Sequence, residues 1–262
     1  MPSDVFAGAI GHRMLGGPSK RESLFIMKRT LVRFNALWLC LAFSFLLAAC
    51  GNKEAEQRTA FIAFLQARVL DKPGLRVPTP NAEEKASFGD YAQHYAVIAD
   101  FNEGMNKSVS QPMGQVMAKG ALRSIADLAS RRDDLKAAKD GLRGLRTALD
   151  QELAKADAAH AKLKQPDDLK QVYDKAYEKT VSAPAATFKE VFPALDKVFD
   201  GALALGDYLE QNKSKVQVSG ASVTVSDPAV QAQLNKMLQE LNGQSKDINA
   251  AQARMQAMVR GS

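Results

Sequence analysis

Apolar residues recur every three or four positions along most of the chain after residue 55, which is the spacing of amphipathic helices. The first such stretch runs from Glu56 to Leu70 and stops at a proline-rich turn, because proline cannot continue a helix. A longer one runs from Asp133 to Lys164, and another follows Pro228. These stripes predict a mainly α fold, an elongated helical bundle of about six or seven helices.

Short polar signals predict where some of these helices begin. Asn81 followed by Glu84 has the spacing of a capping box, in which each residue bonds to the backbone of the other. We expect the helix that starts there to continue to about Ser108. Pro112 is then expected to start a separate helix, since its missing N–H is harmless in a first turn.

The period changes near residues 216–225, where four valines alternate with polar residues. Val216, Val218, Val223 and Val225 would lie on one face of two short strands, which predicts a small β-hairpin. An isolated hairpin is only marginally stable, so it must lean on the bundle or on a partner. Val223 and Val225 could anchor a partner strand at an exposed edge, or the hairpin could simply cover the end of the bundle.

Export signals precede the helical part. Lys28, Arg29 and Arg33 form a basic start, and a mainly apolar run of fourteen residues follows from Ala36 to Ala49. That run is too short for a membrane-spanning helix, which needs roughly twenty apolar residues. The order of basic start and short apolar run is that of a removable secretory signal.

The apolar run ends in Leu47, Ala48, Ala49 and Cys50, which has the form of a lipobox. We expect signal peptidase to recognise the first three residues and the Cys50 thiol to carry the lipid. The alternative is an ordinary signal peptide cut after Ala49, with Cys50 an incidental thiol.

These signals divide the chain into four predicted parts. Residues 27–49 are the lipoprotein signal peptide, 50–55 the lipidated tether and 56–262 a helical periplasmic domain. Residues 1–26 precede a signal that is already complete and begins with Met27, so we expect translation to start at Met27. The alternative is a long basic leader that is removed with the signal.

The net charge of +6 includes the basic leader, and it falls when the leader is removed. The chain from Cys50 onward holds 29 basic and 27 acidic residues, so its net charge is about +2. Charges of both signs alternate along the predicted helices, which is typical of a solvated surface. The sequence has no basic stripe with interleaved aromatic residues, and we expect no nucleic-acid partner.

Candidate chemistry is sparse in the mature chain. His94 follows Asp90, and His160 follows Asp157, each by about one helical turn. We expect each pair to form a surface hydrogen bond. A metal site needs at least three converging ligands, and no motif supplies them. Lipidation would use the sulfur of Cys50, so no free thiol remains. We predict no catalytic, cofactor-binding or metal-binding residues.

One aromatic face allows a different interpretation. Phe88, Tyr91 and Tyr95 share a side of the second predicted helix. They are expected either to fill the core or to line a cleft between helices, as in a hydrolase or a carrier of small ligands.

Several strings in the chain resemble the YiaF-like family of Gram-negative lipoproteins, a domain of unknown function. They are residues 56–66, Phe88-Gly89, 95–98, 156–160, 165–170 and Gly206-Asp207-Tyr208. They occur in this order over essentially all of residues 50–262. The resemblance implies an envelope lipoprotein and assigns no catalytic residue.

We therefore expect a palmitate-bearing lipoprotein, held in the membrane by its N-terminal lipid and facing the periplasm. It would bind an envelope protein or the cell wall without being an enzyme. Gly51 follows the lipidated cysteine where inner-membrane lipoproteins usually have Asp, so the expected location is the inner leaflet of the outer membrane.

Overall fold

Helices account for most of the described chain, as the apolar spacing predicts. The computed structural model describes residues 52–219 and 222–261. The predicted leader, the signal peptide, the tetrapeptide Leu47–Cys50 and Gly51 lie outside the described residues. Residues Ala55–Ser262 form one compact unit, and the fold given below is that of this unit.

The helices in chain order are α1 (52–64), α2 (Ala82–Phe88), α3 (Tyr91–Met105), α4 (Gln111–Gly120), α5 (Ala126–Ser130), α6 (Arg132–His160), α7 (Asp167–Tyr177), α8 (Ala183–Lys189), α9 (Val191–Gln211) and α10 (Pro228–Arg260). Three π-helical turns, Leu65–Leu70, Asn106–Ser110 and Glu178–Ser182, extend α1, α3 and α7. The strands are β1 (Val216–Ser219) and β2 (Ser222–Val225). The predicted mainly α bundle with one small hairpin is confirmed.

Two predicted helix boundaries are wrong. The first helix begins at residue 52, inside the segment assigned to the tether, and not at Glu56. Pro112 does not start a separate helix, because Asn106–Ser110 joins α3 directly to α4. The backbone hydrogen bonds of the π-turn join residues five apart, whereas those of the α-helix join residues four apart. Proline, which has no N–H, is tolerated where one pattern changes to the other.

The helix predicted from Asn81 to Ser108 breaks at Gly89. The capping box that starts it is confirmed: the Asn81 side chain accepts from the N–H of Glu84, and the Glu84 carboxylate accepts from the N–H of Asn81. Gly89 then takes φ of 55°, and a Cβ there would overlap the side chain of Gln57 on α1. The positive φ of Gly89 ends α2, and α1 lies close beside this turn.

Ion pairs and hydrogen bonds show which helix ends meet. Arg58 on α1 lies 3.5 Å from Asp168 at the start of α7, and Gln165 Nε2 lies 3.0 Å from Nδ1 of His94 on α3. We call the region around Arg58, Gly89, His94, Gln165 and Asp168 the α6–α7 end. Helix α6 has 29 residues, each with a rise of 1.5 Å, so its first residue lies about 43 Å from its last, which is at the α6–α7 end.

The hairpin follows the C-terminal end of α9, where Asp207 pairs with Arg132 at the start of α6, so it packs on the bundle at the end opposite the α6–α7 end. Val216 pairs with Val225 and Val218 with Val223 in an antiparallel register. Val216 is buried, and Val223 and Val225 pack against the core, while Val218 is 36% exposed. The expectation that the hairpin leans on the bundle is confirmed.

The core contains apolar side chains from all the longer helices. The largest fully buried side chains are Tyr173, Phe61, Phe88, Phe192, Leu65, Ile98, Leu135, Leu142, Leu149, Leu169, Leu205 and Val69. Among residues 52–219 and 222–261, the buried core side chains lie between Phe61 and Ala251. In the part of the chain that the structure describes, no helix is both long and apolar enough to cross a membrane.

Candidate functional site

The predicted aromatic face lies in the core at the α6–α7 end. The ring of Phe61 on α1 lies 5.2 Å from that of Phe88, 6.1 Å from Tyr91 and 6.4 Å from both Tyr95 and Tyr173, measured between centroids. All five side chains are buried. Aromatic pairs at these distances stabilise a core beyond the area that they bury. The interpretation of this face as core is therefore confirmed.

A groove runs beside this cluster. It measures about 610 Å³ and lies between α3 and the extended segment that precedes α2. Its lining includes Val77, Pro78, Phe88, Ala92 and Tyr95. Tyr91, the third residue of the predicted cleft, is not among the lining residues.

The hydroxyl of Tyr95 is already used at this groove. It donates to the carbonyl oxygen of Pro78 at 2.7 Å. Burial raises the pKa of Tyr95 above its ordinary value, and the nearby Arg68 opposes that shift only in part. Tyr95 therefore stays protonated and holds the proline-rich segment in place.

His160 meets an acid, but not the predicted one. Its Nε2 lies 2.9 Å from Oδ1 of Asp174 on α7, and its ring stacks on Tyr177 with centroids 4.1 Å apart. Asp157, the predicted partner, instead accepts a hydrogen bond of 2.7 Å from the Tyr177 hydroxyl. The prediction of a His160–Asp157 hydrogen bond is wrong because α7 packs beside the end of α6 and supplies both partners.

Asp174 is held as a carboxylate by its neighbours. Burial raises the pKa of Asp174, but the hydrogen bonds from Lys170 and His160 outweigh it and leave the pKa below its ordinary value. The Lys170 Nζ lies 2.5 Å from the second carboxylate oxygen. Both oxygens of Asp174 are therefore occupied, one in an ion pair with Lys170 within α7 and the other in a contact with His160 of α6, and this is not the arrangement of a general base.

His94 is held neutral in a network of its own. Burial lowers the pKa of His94, and the charge of Asp90 opposes the shift only in part. Since an amide nitrogen only donates, Nδ1 of His94 accepts from Gln165, and the ring proton is on Nε2. The His94 carbonyl accepts from the Tyr173 hydroxyl at 2.7 Å, which ties α3 to α7.

A second pocket, of about 710 Å³, has His94 in its lining. We call it the lysine pocket. Its lining residues are Gln93, His94, Val97, Lys155, Ala158, Ala159, Lys162, Leu163 and Lys164. The lysines come from the end of α6 and the loop after it, whereas Gln93 and His94 come from α3. Sequence reasoning missed this pocket because only the packing of α3 on α6 brings them together.

No group of three or more potential metal ligands occurs among residues 52–219 and 222–261. His94 and His160, the two histidines in these ranges, have the separate partners given above. The predicted lipidation and signal-peptidase residues, Leu47 to Cys50, lie outside the described residues.

Comparison with known proteins gives a family but no activity. Residues 38–256 match the model of a family described as "Protein of unknown function (DUF3053)". The chain is also 31% identical over 206 residues to "Uncharacterized protein YiaF" of Escherichia coli K12, an alignment that covers 78% of this chain and 87% of the relative. The YiaF protein of Shigella flexneri shows the same identity and coverage. No solved structure matches. The chain therefore belongs to the YiaF-like DUF3053 family, whose function is unknown.

Proposed function

We propose that this protein is a lipid-anchored lipoprotein of the periplasm, with a non-enzymatic interaction or structural role in the cell envelope. The observation that carries the proposal is the basic start and short apolar run that end in Leu47-Ala48-Ala49-Cys50. A partner in this setting is an envelope protein or the cell wall.

The contacts within the domain support a role without catalysis. Asp174 has both carboxylate oxygens bonded, Tyr95 and Tyr177 donate to fixed acceptors, and Nδ1 of His94 accepts from Gln165. A catalytic base or nucleophile needs a free atom facing a substrate. These groups instead join helices to one another or to the segments between them.

The anchor is tested by replacing each cysteine in turn. In the native host, Cys50→Ser is expected to abolish incorporation of labelled palmitate and to leave an unprocessed precursor. Cys40→Ser is the matched control, because Cys40 lies within the predicted apolar run, and it is expected to incorporate label normally. Normal labelling of Cys50→Ser would refute the anchor.

Location in the outer membrane is proposed from Gly51, the residue after the lipidated cysteine. Gly51→Asp is expected to move the protein to the inner-membrane fraction in a density gradient. Gly51→Ala is the control and is expected to stay with the outer membrane. If the unchanged protein already sediments with the inner membrane, this part of the proposal is wrong.

The groove beside Phe88 and Tyr95 favours a second candidate, a carrier of a small apolar ligand. Its volume of about 610 Å³ falls in the range of ligand pockets, and most of its lining is apolar. Native mass spectrometry of the protein from its host should then show a bound small molecule. Ala96→Trp, which would fill the groove, should release it, whereas Ala154→Trp on the exposed face of α6 should not. Protein without adduct from the host would reject the carrier.

A further inference from the structure

The lysine pocket combines three cations with no acid in its lining. Lys155, Lys162 and Lys164 are exposed, and none of them forms an ion pair or side-chain hydrogen bond within the described ranges. By contrast, Lys139, Lys170 and Lys189 on nearby helices are each paired with an aspartate. The three lysines of the pocket are therefore available to an external anion.

Several acids lie near the pocket, among them Asp90, whose charge acts on His94, but none forms an ion pair with the three lysines in the described ranges. Asp100 and Glu152 share the adjoining small groove with Lys155, but neither is within ion-pair distance of its Nζ in the described structure. Asp157, on the same helix as Lys155, is bonded to Tyr177. The lysine pocket thus keeps a local positive charge although the mature chain is close to neutral.

The pocket also contains groups that can orient an anion. Gln93 and His94 supply an amide and a neutral imidazole from α3, opposite the lysines of α6 and its loop. An anion with several oxygens, such as a phosphate, can accept from several such donors at once. A single carboxylate would use fewer of them.

The position of the pocket relative to the predicted lipid on Cys50 indicates the source of such a phosphate. The pocket is at the α6–α7 end, where Arg58 of α1 contacts Asp168. Ala55 lies less than one turn before Arg58, and the five residues from Cys50 to Ala55 span at most about 17 Å. A lipid on Cys50 would therefore hold this end of the domain close to the headgroups of the bilayer.

We propose that the lysine pocket binds the phosphate of an anionic phospholipid headgroup. This inference rests on the proposed lipid anchor, which brings the pocket to the membrane surface. The contact fixes how the bundle stands on the bilayer, with the α6–α7 end against the headgroups and the hairpin directed into the periplasm.

The test uses the chain from Gly51 to Ser262, which lacks the lipid. This part is expected to fold alone because it contains the whole compact unit Ala55–Ser262, with the buried core residues that the structure describes. Its cosedimentation is measured with vesicles of phosphatidylcholine, with and without phosphatidylglycerol. We expect binding to the anionic vesicles only, and we expect it to weaken as salt is added.

Variants locate the contact. Replacing Lys155, Lys162 and Lys164 together by Gln should weaken binding by about fivefold per lysine, on the order of a hundredfold in all. The matched control replaces Lys136, Lys197 and Lys246, which are exposed on other faces and have no ion pair within the described ranges. This control makes the same change in net charge and should bind almost as well as the unchanged protein. Circular dichroism checks that both variants are folded.

Three results would overturn the proposal. The first is no binding to anionic vesicles, and the second is an equal loss of binding in the two triple variants. The third is displacement of the protein from vesicles by inorganic phosphate, at concentrations that match the affinity of the protein for phosphate alone. The last result would identify a site for free phosphate. None of these outcomes depends on the modification of Cys50, so failure here is distinguishable from failure of the lipid anchor.

Discussion

Gly74 and Gly261 lie in direct backbone contact, and a Cβ on Gly261 would come within 2.1 Å of the amide nitrogen of Gly74. Both residues have positive φ, 69° and 81°. The N–H of Leu75 donates to the carbonyl of Val259 at 3.3 Å in the same place. The turn after the first helix is thus joined to the end of α10, although the two are far apart in the chain.

Gly74→Ala is therefore expected to destabilise the protein. The left-handed backbone costs a residue with a Cβ about 1–2 kcal/mol, and the overlap with the Val259 carbonyl adds to that. Gly243→Ala is the control within α10, where a Cβ meets nothing within 4 Å, and it should stabilise the helix by about 0.5–1 kcal/mol. Urea denaturation measures both changes. Equal effects of the two substitutions would contradict the contact.

Lys179 caps the end of the first helix from outside. Its Nζ donates to the carbonyls of Val69 and Leu70, each at 3.0 Å, and to that of Lys72 at 2.6 Å. Lys179→Met keeps much of the side-chain volume but leaves these carbonyls without their donor, which should cost about 1–3 kcal/mol. Lys175→Met, an exposed lysine on α7, should change the free energy of unfolding much less. If both variants unfold at the same urea concentration, the cap contributes nothing.

Because His94 is neutral in the folded protein, the free energy of unfolding should fall as the pH is lowered. Its pKa is lower in the folded protein than in the unfolded chain, so the unfolded chain binds more protons as the pH falls below about 6.5. The contribution of His94 is fully present above that pH and is lost as the pH falls through the folded pKa. His94→Gln should thus flatten the decline in stability between about pH 7 and 5. A decline as steep as in the unchanged protein would show that other groups cause it.

Local signals allowed part of the fold to be predicted. The capping box of Asn81 and Glu84 and the hairpin of alternating valines are formed by residues close in the chain, and both are found as expected. The break at Gly89 was not predicted, because glycine inside a helical pattern is often tolerated. At this position the side chain of Gln57, from another helix, occupies the space that a Cβ would need.

The candidate sites were harder to predict for the same reason. His160 was matched with Asp157 by spacing, but its partner is Asp174, which only the packing of α7 on α6 determines. The lysine pocket likewise needs α3 and the end of α6 side by side. The lipidation signal at Cys50 is a linear motif, so the sequence alone predicts it.

The proposed location and membrane contact both depend on a lipid on Cys50, which the mass of the mature protein reveals. Protein extracted with detergent from the membranes of its native host is digested, and the N-terminal peptide is measured by mass spectrometry. We expect a peptide that begins at Cys50 and carries the added mass of a diacylglycerol. A peptide that begins at Cys50 with an unmodified thiol, or one that continues upstream through Ala49, would contradict this expectation.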